Sequence, residues 1–249
     1  MIATRLARAA PMRAAIRLLS GERPVNSFPK TAANYRELTP LSYVERAAVV
    51  FDDSPAVVDG DATRTWAETF ARCCGLGDAL RREGCGRGDV VQVMLDNTAE
   101  MVEAQHGVPM SGATLGCVNN GSTRRPSPTF HCNGWGFPWT LPAVGGANVC
   151  LRDVSADAIA DAFVAARVTH LCGARRPSPS AWPSRPRRRQ RARGGERAAP
   201  LRMMTGGAPP PAATLRRAEA AGLDVTHVYG LTETYGPGDA LPAAPSGRP

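Results

Sequence analysis

Two short runs in the C-terminal third combine residue types that can do chemistry. ThrGlyGlyAlaPro (205–209) and TyrGlyLeuThrGlu (229–233) lie at the ends of strand-like runs at 201–207 and 224–229. Glycines leave a flat surface on which an aromatic base can lie, while a hydroxyl and a carboxylate, as at Thr232 and Glu233, suit phosphate and a magnesium ion. In open α/β sheets the ligand lies beyond the carboxyl ends of the strands, so the two loops would be adjacent walls of one crevice. The plainer readings stand beside these: Gly-Gly after a strand is usually a turn, and Glu233 could be a solvated loop acid. A third run, PheHisCysAsnGlyTrp (130–135), offers His131 either as a reactive imidazole or as a packed loop histidine, and Trp135 and Trp139 could be core. His170 and His227, inside strand-like runs, read as satisfied core histidines, and Cys73 and Cys74 as helix packing.

The elements that must position these loops alternate. Thr39 with Pro40 reads as a helix N-cap followed by proline at N1, with Leu41, Val44 and Ala48 on one face. Residues 55–59 (PAVVD) read as a buried strand, Gly60 and Asp61 as a turn, and Thr65 to Glu68 as a capping box opening a helix to Arg82 that Gly84 ends. A strand over 89–95, a cap pair at Asn97 and Glu100, a helix toward Ser111 and a strand over 114–118 follow. Beyond Asn120 come a helix near 137–144, a strand over 148–152, a helix from Ser155 to Ala166, and a strand over 169–172. After the strand over 201–207, a helix runs to Ala221 with Gly222 as its cap. This order predicts an α/β fold with mostly parallel, helix-covered sheets.

The chain has 249 residues, 43% of them apolar and 21% charged, which excludes a wholly disordered or collagen-like chain. Its apolar stretches break well before the roughly 18 residues that a membrane-spanning helix requires. Seven scattered cysteines without a CxxC pair argue against a disulfide framework or a structural zinc site. The net charge of +8 is concentrated rather than spread over a face: residues 175–197 hold nine arginines against Glu196 alone, and residues 1–30 hold five more with Lys30 against Glu22. The remaining body is acidic. Segment 1–30 reads either as an import leader, pointing to an intracellular and mitochondrial location, or as poorly ordered GC-rich coding sequence. Segment 175–199 has four prolines and few apolar residues, too few to offset an ordering cost of about 1–2 kcal/mol per backbone residue, and is predicted to be disordered. ArgArgProSerPro occurs at 124–128 and again at 175–179, where the α/β pattern is lost. The division expected is 1–30 leader, 31–120 first α/β part, 121–129 irregular junction, 130–174 second part, 175–199 insert, and 200–249 motif segment.

Residues 130–135, GlyGlyAlaProPro (206–210) and TyrGlyLeuThrGluThrTyrGlyPro (229–237), in this order, resemble the AMP-forming acyl-CoA synthetases of the adenylate-forming superfamily, near the short- to medium-chain acyl-activating branch. Leu38 to Asn120 is similar to the N-terminal part of the same family, so the resemblance covers about three quarters of the chain. It implies part of that family's large N-terminal domain, and a ligase that makes an acyl-adenylate from a small carboxylic acid and ATP with magnesium before passing the acyl group to coenzyme A. By likeness, Gly206, Gly207, Ala208 and Pro209 would lie along the adenine. Tyr229 would stack near the base, with Gly230 and Leu231 in the same nucleotide-binding loop. Thr232 would bond phosphate, Glu233 would hold magnesium, His131 would face the reacting groups, and Trp135 would gate the acyl tunnel.

The sequence also departs from that pattern. The family's Ser/Thr/Gly phosphate loop ending in Pro-Lys-Gly is expected between Asn120 and Pro128 and is not there. The ribose-gripping aspartate, the hinge and the C-terminal domain with its adenylating lysine have no counterpart either, and Lys30 is the sole lysine. One positioned donor at a reacting phosphate is worth roughly 3–4 kcal/mol, so the expectation is a shortened or frame-disturbed family member that is not a competent ligase as written. Two other readings stay open. One is a non-catalytic interaction fragment, docked through the basic insert or phosphorylated at Ser127 or Ser178. The other is an arginine-rich nucleic-acid binder, which lacks aromatic interleaving beyond Trp182.

Overall fold

A computed structural model of the protein describes residues 29–118, 134, 136–152, 155–173, 201–220 and 222–242. The leader up to residue 28, the junction 121–129 with His131 and Trp135, and the insert 175–199 lie outside the described residues. The chain divides into two compact units, Met1–Thr39 and Pro40–Pro249. In the first, Asn34 Oδ1 accepts the Thr31 N–H at 2.8 Å to close a turn, and Lys30 Nζ sits 4.0 Å above the centre of the Tyr35 ring.

The second unit runs α1 (Pro40–Val50), β1 (Pro55–Asp59), β2 (Ala62–Thr65), α2 (Trp66–Arg82), β3 (Val90–Val93), α3 (Ala99–Ser111), β4 (Thr114–Cys117), α4 (Phe137–Val144) and β5 (Asn148–Cys150). It continues with α5 (Ala156–Ala165), β6 (His170–Gly173), β7 (Leu201–Gly206), α6 (Ala212–Ala220), β8 (Leu223–Leu231), a 3₁₀ turn (Thr232–Thr234) and β9 (Gly236–Pro242). The strands form three sheets, ordered β2-β1-β5, β3-β4 and β6-β7-β8-β9. β1/β5, β3/β4, β6/β7 and β7/β8 are parallel, as the alternating pattern predicts. The β1/β2 and β8/β9 pairs are antiparallel, and neither partner strand was expected. β2 (AlaThrArgThr) is short and lacks an apolar alternation, β9 is interrupted by glycine and proline, and both become strands through the neighbour that they pair with.

Local signals place α2 well. Thr65 Oγ1 accepts the Glu68 N–H at 3.2 Å while Glu68 returns the bond to the Thr65 N–H at 2.8 Å, which is the expected capping box. Gly84 takes φ +83° just past its end. On α1 the buried face is Val44 and Ala47, one residue short of the expected Ala48.

The start of α3 departs from expectation. The N-cap is Thr98 rather than Asn97, and the Thr98 side chain makes no cap hydrogen bond. The first amide, at Ala99, donates instead to Asp59 Oδ2 at 3.1 Å, from the end of β1. A tertiary carboxylate at the positive helix end does what a local cap would have done. Burial would raise the Asp59 pKa, but Arg152, at 3.0 and 3.2 Å, and the Ala99 amide together outweigh it and bring the carboxyl below its usual range.

α3 is buried on nearly all sides, from Met101 through Val108, because helices and strands surround it. It crosses α2 closely: a Cβ on Gly107 would stand 2.9 Å from the Cys73 carbonyl oxygen, and one on Gly77 3.1 Å from the Gly107 carbonyl. Its buried Glu103 receives Arg64 and, at 2.6 Å, Arg72 Nε, and Arg64 also reaches Glu100 at 3.1 Å. Ala104, Val108 and Ala113 pack with Leu76, Leu80, Val91 and Val93 over the β3/β4 pair. A separate cluster of Met203, Ala218, Leu223 and Val225 fastens α6 to β7 and β8. This second cluster fixes the strands that carry the two loops.

Candidate functional site

β7 and β8 run parallel in register, Thr205 opposite His227 and Gly206 opposite Val228. Their carboxyl ends therefore emerge side by side, and the loop Gly207–Ala208–Pro209 leaves next to Tyr229. Gly207 takes φ +89°, a conformation that side chains disfavour, so glycine there serves the turn as well as the open surface. Gly206 is buried at the strand end, whereas Gly207, Ala208 and Pro209 are exposed. His227 Nε2 lies 3.3 Å from the Gly207 carbonyl and donates to it when the proton sits on Nε2, tying β8 to the Gly207 loop. His227 is thus a half-buried residue at the candidate site rather than a core histidine. His170 also departs from the core reading: it is exposed, with Nδ1 2.9 Å from Thr169 Oγ1.

Beyond Val228, β8 continues for three residues, about 10 Å at the usual strand rise, supported by β9 with Leu231 opposite Gly236. Gly230 has a structural reason for its identity, because a Cβ there would collide with the Gly236 carbonyl. Thr232 and Glu233 then form a one-turn 3₁₀ segment on the surface. Thr234 holds it: its Oγ1 accepts the Leu231 N–H at 2.9 Å and has the carbonyls of Leu231 and Gly236 at 3.0 and 2.9 Å for its own proton. Tyr229, Leu231 and Tyr235 are all exposed. Glycine loop, aromatic ring, hydroxyl and carboxylate are thus all exposed beyond the β7 and β8 ends.

The third run enters through its flanks. Gly134, the described member of 130–135, packs so that a Cβ would meet Gln105 Nε2 at 3.2 Å and Pro138 Cγ at 3.1 Å. α4 begins three residues later, and Trp139 in its first turn donates its indole N–H to the Tyr235 hydroxyl, directly after the ThrGluThr turn. On its other side the Trp139 ring stands edge-on to His106, with centroids 4.8 Å apart at 85°. His106 is fully buried on α3; burial pushes its pKa down to about 4, against an upward pull from the Pro138 backbone. Motif spacing could not reveal Trp139, Tyr235 and His106, because their partners lie far away in the chain. The adjacent thiols fit packing: burial drives Cys73 up to about 12 and also raises Cys74. Among the described residues no group of three His, Cys, Asp or Glu side chains converges as a metal site. No helix among them is long and apolar enough to cross a membrane.

The family model described as AMP-binding enzyme matches residues 44–126 and 125–248, and its two pieces meet inside the ArgArgProSerPro run at 124–128. The chain is 28% identical over 335 residues to "Probable acyl-activating enzyme 5, peroxisomal" of Arabidopsis thaliana, an alignment that takes in 82% of this chain and 59% of that protein. It is 25% identical over 356 residues to "Acetate/butyrate--CoA ligase AAE7, peroxisomal" of the same plant, covering 86% of this chain and 61% of the relative. Both alignments are longer than the chain's 249 residues, so the relatives carry internal positions with no counterpart here. The chain spans about three fifths of their length. The fold matches that of Bacillus subtilis o-succinylbenzoate coenzyme A synthetase, solved in complex with ATP and magnesium ion, at a TM-score of 0.63 and 16% identity, over 80% of this chain and 62% of that one. The β7 and β8 strand-end loops, the α/β architecture and a family match over most of its length agree, and the chain belongs to the AMP-binding enzyme family.

Proposed function

We propose that this chain is the nucleotide-holding part of a carboxylate–CoA ligase acting on a small carboxylic acid, and that it binds an adenylate without forming one at ligase rates. The register of β7 against β8 carries the reading, because it sets the Gly207–Pro209 loop beside Tyr229 and leads on to Thr232 and Glu233. The adenine would lie along Gly206, Gly207, Ala208 and Pro209, with Tyr229 over it and Gly230 and Leu231 continuing the wall. Thr232 would donate to phosphate. The exposed Glu233 carboxylate has the hard oxygen donors that suit magnesium, whose charge, when bound, offsets that of the phosphates. His131 and Trp135, which precede in sequence the helix that Trp139 fastens to Tyr235, would stand toward the acid and its tunnel. Coenzyme A would take the acyl group in the complete reaction.

Residues 121–128 hold two arginines and two prolines where phosphate-cradling backbone amides would be needed, and each missing donor costs roughly 3–4 kcal/mol of transition-state stabilisation. The test pairs a binding and a turnover measurement. Thermal denaturation with a non-hydrolysable butyryl-adenylate analogue is expected to raise the midpoint, while ATP–pyrophosphate exchange with acetate or butyrate stays at background. A flat thermal response would overturn the binding reading, and robust exchange would overturn the loss of adenylation.

A further inference from the structure

We propose that Trp139, seated on His106, is a positioning residue that sets the Thr232–Glu233 turn through Tyr235; this deepens the reading of that turn as the phosphate wall and rests on it. Tyr235 stands in the left-handed region at φ +61°, an unfavourable conformation for a residue with a side chain, which persists only where its surroundings hold it. Two holds act on it. Within the loop, its N–H donates to the Thr232 carbonyl at 3.0 Å, and Thr234 Oγ1 binds both flanks of the turn. From outside, the Trp139 indole N–H donates to its hydroxyl. An indole nitrogen can only donate, so this bond has a fixed direction and fixes the phenol oxygen in turn.

The anchor itself is rigid. Trp139 lies in the first turn of α4, with its backbone N–H bonded to the Gly136 carbonyl at 3.2 Å and its ring edge-on to the fully buried His106 of α3. α3 is enclosed on nearly every side, so His106 offers a seat that does not move with the surface. α4 starts three residues after Gly134, so the helix that carries Trp139 follows the end of that run along the chain. The placement of Glu233, two residues before Tyr235, thus depends on a helix that belongs to another motif.

Tyr235→Phe deletes this one hydrogen bond and keeps the ring, whereas Trp139→Phe deletes it and also trims the indole to a smaller ring against His106. Hydrogen exchange of the Tyr235 amide in the ligand-free protein and the affinity for AMP with magnesium are the two readouts. Each single variant is expected to speed that exchange and to weaken AMP binding by about three- to tenfold, the range for loss of one hydrogen bond. The double variant is expected to be no weaker than the worse single one, because both changes remove the same bond. Additive losses in the double variant, or unchanged exchange in both singles, would overturn the proposal. If the unsubstituted chain binds no AMP, the proposed function falls, and the exchange measurement still decides whether Trp139 positions the turn.

Discussion

His106 shows how one buried side chain links stability to pH. Its folded pKa of about 4 lies below the ordinary 6.5 because burial disfavours the imidazolium. The unfolded chain therefore binds the proton more readily between those values, so the stabilisation is fully present above pH 6.5 and is lost as pH falls toward 4. Urea denaturation at pH 7 and pH 4 should show a loss of about 3 kcal/mol that His106→Phe does not share. Equal losses in both proteins would assign the effect elsewhere. Glu103 is the corresponding case for charge. Glu103→Ala removes the shared partner of Arg64 and Arg72 but leaves Arg64 its contact with Glu100, and should cost about 2 kcal/mol, whereas Arg72→Ala, removing a half-exposed partner, should cost less than about 1 kcal/mol. Equal costs in chemical denaturation would contradict the geometry.

Elements are where local and distant causes separate. α2 was legible because its capping box and its terminating glycine lie within the segment itself. The start of α3 was not, because its first amide is satisfied by Asp59, 40 positions away. β2 is short and polar, β9 carries turn residues, and both become strands beside β1 and β8. The same division runs through the candidate site. ThrGlyGlyAlaPro and TyrGlyLeuThrGlu announce themselves by composition at strand ends, while His227, Trp139 and Tyr235 acquire their places from contacts across the fold. The α2/α3 crossing is another contact that spacing conceals. Gly107→Val would drive a side chain into the Cys73 carbonyl and Leu76, and should lower stability by about 2–3 kcal/mol, the range for an overpacked core. Gly75→Ala on the same pair of helices has open space and removes a helix-interior glycine, so it should be neutral or stabilising by up to about 1 kcal/mol. Thermal midpoints of the two variants moving together would contradict this packing.

At the scale of the whole molecule, the chain keeps the β7 and β8 strand ends proposed to hold a nucleotide, and its arginine- and proline-rich run at 124–128 lies where the two matched pieces of the family model meet. The two candidate loops stand exposed on the sheet end, with Tyr229 60% exposed, and that leaves room for a ligand to lie across them. A ligand that binds only the folded chain stabilises it by about 2.7 kcal/mol at a hundred times its dissociation constant, several degrees in midpoint for a protein of this size. The most direct measurement is calorimetric titration of AMP into the full chain, alongside Gly207→Val, whose side chain would occupy the surface proposed for adenine and strain the +89° backbone. The expected result is one site per chain that Gly207→Val abolishes while the protein remains folded by circular dichroism. Heat of binding that survives Gly207→Val unchanged, or none in the unsubstituted chain, would contradict the assignment of the β7 and β8 ends as a nucleotide site.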